Sequence, residues 1–193
     1  MARVSAESRR EYLIQALVRV VARDGIEGAT TRQIAKEAEM TLAALHYCFE
    51  SKEELLAASY DHLIELLCKE EIVIKPGSGI ASAAYQIMEA MVGWYETEDG
   101  YSKTQLELFF WVCRHDRERG VNAYNRALDY IAGILRKAAS PEDDKSKIPA
   151  LARFVSATID GIVAQGVLTP HDRTPVRETM SIVREILLPK LRV

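Results

Sequence analysis

The chain has 193 residues, 48% of them apolar and 27% charged, with a net charge of −3, which is ample material for one large or two small buried cores. No apolar run is read as reaching the roughly 18–20 residues of a membrane span, and Met1–Arg10 lacks the apolar core of a signal peptide, so a cytoplasmic protein with no membrane partner is expected. Cys48, Cys68 and Cys113 are odd in number and scattered, which argues against a disulfide framework, and His46, His62, His115 and His171 form no metal-ligand cluster, so neither an enzyme nor a cofactor is read.

Charge is uneven: residues 1–52 carry +1 and the remainder −4, so the N-terminal part is the less acidic but is not a basic patch. Arg3, Arg9 and Arg10 open the chain as an arm able to meet phosphates, or as a solvated tail. From Ser8 to Asp24 the apolar residues Leu13, Ala16, Leu17, Val20 and Val21 recur at helical spacing, and Gly25 provides a stop. Thr30 and Gln33 form a capping box for a short second helix with Ile34, Ala35 and Ala38 on its apolar face. Thr41 caps a third, carrying Leu45 and Phe49, and Ser51 with Glu54 starts a fourth. Two short helices separated by a tight turn and packed on the first make a helix-turn-helix unit of about fifty residues.

The fourth helix is expected from Ser51 to Ile74, about 35 Å long, bridging a domain of residues 1–52 to one of residues 53–193 and ended by Lys75-Pro-Gly-Ser-Gly79. Five further helices follow: Ile80–Glu96, Tyr101–Arg117, Val121–Ala139, Ile148–Leu168 and Thr174–Leu191, the last with Thr174 as cap and Pro175 in its first turn. The fold class is therefore all-α, a three-helix head containing the helix-turn-helix joined by a long helix to a helical bundle, about nine helices in total.

The segment Thr30–Leu55 resembles the tetracycline-repressor (TetR) family of bacterial regulators. It aligns without gaps to the pattern Thr-x-Arg-x-Ile-Ala-x-x-Ala-Gly-Val-Ser-x-x-x-Leu-Tyr-x-His-Phe-x-x-Lys-x-x-Leu, with Glu39 where Gly is usual, His46 where Tyr is frequent and Cys48 where His is frequent. Glu39 carries strain if that turn needs positive φ. The resemblance implies a DNA-binding regulator. Thr31, Arg32, Thr41, Tyr47 and Lys52 then face phosphates, while Leu42, Ala43 and His46 face the major groove. Ordinary capping and surface charge are the alternative for Thr31, Arg32 and Lys52.

The resemblance also implies a small-molecule effector and a homodimer. Tyr85, Met88, Met91, Trp94, Tyr95, Phe109, Phe110, Trp111, Cys113 and Tyr124 concentrate aromatic and thioether groups that suit an apolar pocket for a hydrophobic or aromatic effector, or else plain core. Ala157, Gly161 and Ala164 on one helix and Met180, Val183, Ile186 and Leu187 on the last make two stripes for a two-fold four-helix interface, or for packing within one chain. Asp160, alone in an apolar helix, is expected to be a paired carboxylate at that interface. The whole reads as a repressor of a palindromic double-stranded DNA operator, released when its effector moves the base of the fourth helix. A helical small-molecule-binding protein with weak or lost DNA binding is the competing reading.

Overall fold

Local capping sets most helix starts. In the computed structural model, which describes residues 5–69, 71–97 and 101–188, nine α-helices and no strand are present among the described residues: α1 (Ala6–Gly28), α2 (Thr31–Glu37), α3 (Leu42–Cys48), α4 (Lys52–Lys69), α5 (Ile80–Thr97), α6 (Tyr101–His115), α7 (Arg117–Ala138), α8 (Ile148–Leu168) and α9 (Thr174–Leu187). Arg3 and the final residues to Leu191 expected in the last helix lie outside the described residues.

Gly25 adopts φ +74° inside α1, so the long helix stops there as the glycine requires and a single further turn follows to Gly28. Four expectations are corrected. The fourth helix ends at Lys69 and not near Ile74: residues 71–75 have no regular structure, and the β-branched run Ile72-Val73-Ile74 before Lys75-Pro76 is a poor helix end. The seventh begins at Arg117 and not Val121, because the Asp116 carboxylate accepts from the Arg119 amide at 3.1 Å and so starts it four residues early. Gly120 lies inside α7, where a Cβ would stand 3.3 Å from Val112 of α6. In α9, Thr174 is not the cap: Pro175 sits in the first turn as expected, and the Asp172 carboxylate takes the Thr174 amide at 2.9 Å. Finally, Lys145–Leu168 is long and apolar enough, by length and composition alone, to cross a membrane, although α8 packs on α5 and α9.

The chain divides into two compact units, which do not follow a single cut after residue 52. The first comprises residues up to Leu67 with Lys103–Ala123, and the second Cys68–Ser102 with Tyr124 onward. The core of the first holds Leu13, Leu17, Ile34, Leu45, Phe49, Leu55 and Tyr60, nearly all with no exposed surface, so α1–α4 close over one apolar centre. In the second, α8 packs on α5 and both pack on α9; Val92, Ile162 and Val176 meet, with Met180 against them. The loop after α7 is anchored by one carboxylate. Asp143 accepts from the Ser140 amide at 2.7 Å and from the Ile80 amide at 3.1 Å, tying that loop to the start of α5. Those bonds, Ser140's first, hold its carboxyl below the usual range.

Candidate nucleic-acid interface

The reading head is built by short-range chemistry. Thr30 accepts from the Gln33 amide at 3.2 Å while the Gln33 side chain accepts from the Thr30 amide at 3.0 Å, completing the capping box of α2. Thr41 accepts from the Ala44 amide at 3.1 Å and starts α3. The Ser51 hydroxyl accepts from the Glu54 amide at 3.0 Å, and the Glu54 carboxylate accepts from the Glu50 amide at 2.7 Å, one residue earlier than a standard box.

The turn between α2 and α3 does require a left-handed residue, and that residue is Glu39, at φ +54°. Its amide donates to Lys36 at 3.0 Å and the Met40 amide donates to Ala35 at 2.8 Å, the paired bonds of a Schellman ending. The departure from Gly therefore leaves the turn geometry intact and stores strain in it. Glu39→Gly is expected to stabilise the protein by about 0.5–1 kcal/mol, the relief of a left-handed L-residue less the extra unfolded-state freedom of glycine. Denaturant midpoints of the two chains check it; an unchanged or lower midpoint contradicts it.

α3 turns Leu45 and Cys48 into the core and leaves Ala43, His46 and Tyr47 outward, Tyr47 at 76% exposure, with Leu42 half-buried at the edge of that face. Arg32 and Thr41 are exposed and Thr31 is half-buried at the start of α2. Lys52 is engaged elsewhere: its ammonium donates to the Ile26 carbonyl at 2.7 Å, and the Ile26 amide donates to Glu107 of α6 at 3.0 Å, so the residue after the Gly25 kink is held on both sides. Arg19 and Arg23 pair with Glu37, fixing α2 to α1, and the Arg19 bond first of all holds the Glu37 carboxyl below its ordinary value.

The residues expected at an effector pocket separate between the two units. Met88, Met91 and Tyr95 are buried in the second unit, Trp94 meets Tyr95 edge-on at 4.9 Å, Tyr85 donates to Glu89 at 3.2 Å and Tyr124 is half-buried. Phe109, Phe110 and Cys113 belong to the first unit, where Phe109 packs between Tyr60 and Phe110 while Phe110 and Cys113 are exposed. Of the cysteines, Cys48 is buried and packs in the core, Cys68 is half-buried and Cys113 is exposed. A cleft of about 530 Å³ borders Gly25, Glu107, Phe110 and Trp111, and one of about 420 Å³ borders Tyr12, Glu37 and Met40; of the residues expected at the pocket, Phe110 and Trp111 line the first and none lines the second.

On the expected dimer stripes, Ala157 and Gly161 are exposed and Ala164 and Leu187 half-buried, but Val183 is buried in its own unit and Met180 packs inward. The outward apolar face of α9 is carried by Ile182 and Ile186, at 56% and 64% exposure, and that of α8 by Phe154 at 41%. Asp160 is half-buried, and loss of solvent raises its carboxyl to about 6.

Residues 13–59 match the family of bacterial regulatory proteins described as the tetR family. The nicotine-responsive transcriptional repressor HdnoR of Paenarthrobacter nicotinovorans is 30% identical over 173 residues, spanning 88% of this chain and 89% of that protein. This chain belongs to the TetR family. The transcriptional regulator BetI of Vibrio parahaemolyticus is similar at 25% identity, over 86% of this chain and 83% of that one. A solved transcriptional regulator from Rhodococcus sp. Rha1 shares the fold with a TM-score of 0.71 at 21% identity, over 93% and 95% of the two chains. The protein is thus a TetR-family DNA-binding transcriptional regulator, and α2 and α3 are its helix-turn-helix.

Proposed function

We propose that this TetR-family regulator is a cytoplasmic repressor that binds a palindromic operator as a homodimer and releases it on binding a small hydrophobic or aromatic effector. The observation that carries the dimer is the apolar surface left outward on α8 and α9: Phe154, Ala157 and Gly161 on one, Ile182 and Ile186 on the other. Isolated apolar residues are common on surfaces, but small residues flanked by large ones on two adjacent helices suit a self-complementary four-helix contact. Two recognition helices then reach successive major grooves about 34 Å apart. On each, Ala43 and Leu42 offer apolar contact to thymine methyls and His46 offers a hydrogen bond to a base edge, while Thr31, Arg32, Thr41 and Tyr47 meet the backbone.

The effector reading rests on Met88, Met91, Trp94 and Tyr95 of α5, with Tyr85 and Tyr124 as polar handles. The similar HdnoR is nicotine-responsive, which makes nicotine, a small aromatic base, the first compound to try. Release requires the effector to prefer the state that does not bind DNA, since equal affinity shifts nothing.

Sedimentation at micromolar concentration is expected to show a dimer, and titration of a labelled duplex taken from immediately upstream of the protein's own gene is expected to show binding that weakens as salt rises. A monomer under those conditions sinks the dimer and the palindrome together. Mass spectrometry of ligand carried through purification tests the effector class, a strongly polar compound being the contrary result.

A further inference from the structure

Arg9 and Arg10 are adjacent in sequence and indistinguishable there as phosphate candidates, yet the fold gives them opposite surroundings. The guanidinium of Arg10 donates to the Cys48 carbonyl at the end of α3, pairs with the Glu54 carboxylate at 3.1 Å and lies 4.0 Å above the ring of Phe49. Glu54 is itself the carboxylate that starts α4, and Phe49 is buried. Arg10 therefore joins three pieces of the head, α1, the exit of the recognition helix and the entry of α4, with a planar fork suited to several acceptors at once. Its charge is paired with Glu54, and each of its two terminal nitrogens donates within the head.

Arg9 is the reverse. Its guanidinium carbon lies 5.9 Å from the centre of the Tyr47 ring, which stands outward on the recognition helix. No carboxylate pairs with it among the described residues, and its Nε is buried without a hydrogen-bond partner. A cation held over an aromatic face beside the recognition helix, with its charge uncompensated, is pre-positioned for an anion. In a DNA-reading head the anion of that place is a backbone phosphate.

We propose that the two arginines divide the work: Arg9, supported on Tyr47, contacts a phosphodiester directly, whereas Arg10 is a positioning residue that sets the recognition helix and touches no DNA. The inference rests on DNA binding by this head. The two roles have different signatures, because a phosphate contact contributes about 0.9 to the slope of log affinity against log salt and a positioning contact contributes nothing to it.

The test is a salt series of fluorescence-anisotropy titrations with the labelled upstream duplex, using the full chain and its Arg9→Ala, Arg10→Ala and Arg10→Lys variants. Arg9→Ala is expected to flatten the slope by about 0.9 per subunit. Arg10→Ala is expected to lower affinity about tenfold at every salt concentration with the slope unchanged. If Arg10→Ala does not fold, Arg10→Lys answers the same question: it keeps the charge but loses the fork, so its affinity should fall while its slope stays at the wild-type value. A wild-type slope for Arg9→Ala, a flattened slope for Arg10→Ala, or wild-type affinity for Arg10→Lys overturns the proposal. A wild-type chain that shows no salt-dependent binding overturns DNA binding itself and this inference with it, and that outcome is read before any variant is compared.

Discussion

Asp160→Asn is expected to raise the stability of the protein by about 2–3 kcal/mol at pH 7.5, since a carboxyl moved from its ordinary value to about 6 loses roughly 1.4 kcal/mol per unit when it is forced to ionise in the fold. The cause is removal from solvent, with no bond among the described residues offsetting it. The folded value lies above the unfolded one, so between about pH 4 and 6 the folded chain holds a proton that the unfolded chain has lost. Stability due to this group is complete below pH 4 and is lost as pH rises through 6. The gain from asparagine should therefore vanish near pH 4 and level off above pH 7. Bulk acid unfolding would obscure this in either protein alone, because Asp24, Glu37, Asp143 and Asp172 are all held below their ordinary values and lose stability as pH falls. The difference between the two proteins isolates Asp160. Denaturant unfolding of both from pH 4 to 8 checks it, and a difference that is absent or independent of pH refutes it.

Asp160 shows what a single sequence conveys and what it withholds. An acidic residue within the apolar run Phe154–Val163 marks an unusual site; the partner expected for it belongs to a contact between two chains, and within one chain desolvation dominates. Readings that depended on bonds three or four residues long proved legible: Thr30 with Gln33, Thr41 with Ala44, Ser51 with Glu54, and the stop at Gly25. Contacts across the fold were not. Glu107 to Ile26, Arg119 to Asp61 and Asp143 to Ile80 join residues 81, 58 and 63 apart, and helical periodicity specifies which face of a helix is apolar without specifying the register of its neighbour. The same limit explains Arg10, whose partners lie 38 and 44 residues away. It also explains α9, where Met180 and Val183 form one apolar stripe and Ile182 and Ile186 another; only packing on α5 and α8 decides which is inward.

That outward stripe carries the largest expected effect on DNA binding. Ile186→Glu is expected to convert the protein to a monomer in sedimentation at micromolar concentration and to weaken operator binding by about 10²–10⁴, the factor by which linking two binding modules exceeds one alone. The substitution places a carboxylate on a residue that is 64% exposed in the single chain, so folding of the subunit should be little affected, whereas a two-fold contact would bring two such charges into an apolar interface. Val183→Glu is the informative contrast. Val183 is buried within its own unit, so that change should unfold the bundle and not merely separate the subunits. A monomer from Ile186→Glu with an unchanged circular-dichroism melt at low concentration, together with half-site binding of the upstream duplex, would place the dimer contact on the face that α8 and α9 leave uncovered. A dimer that survives Ile186→Glu would move the contact elsewhere and leave Phe154, Ile182 and Ile186 as ordinary surface.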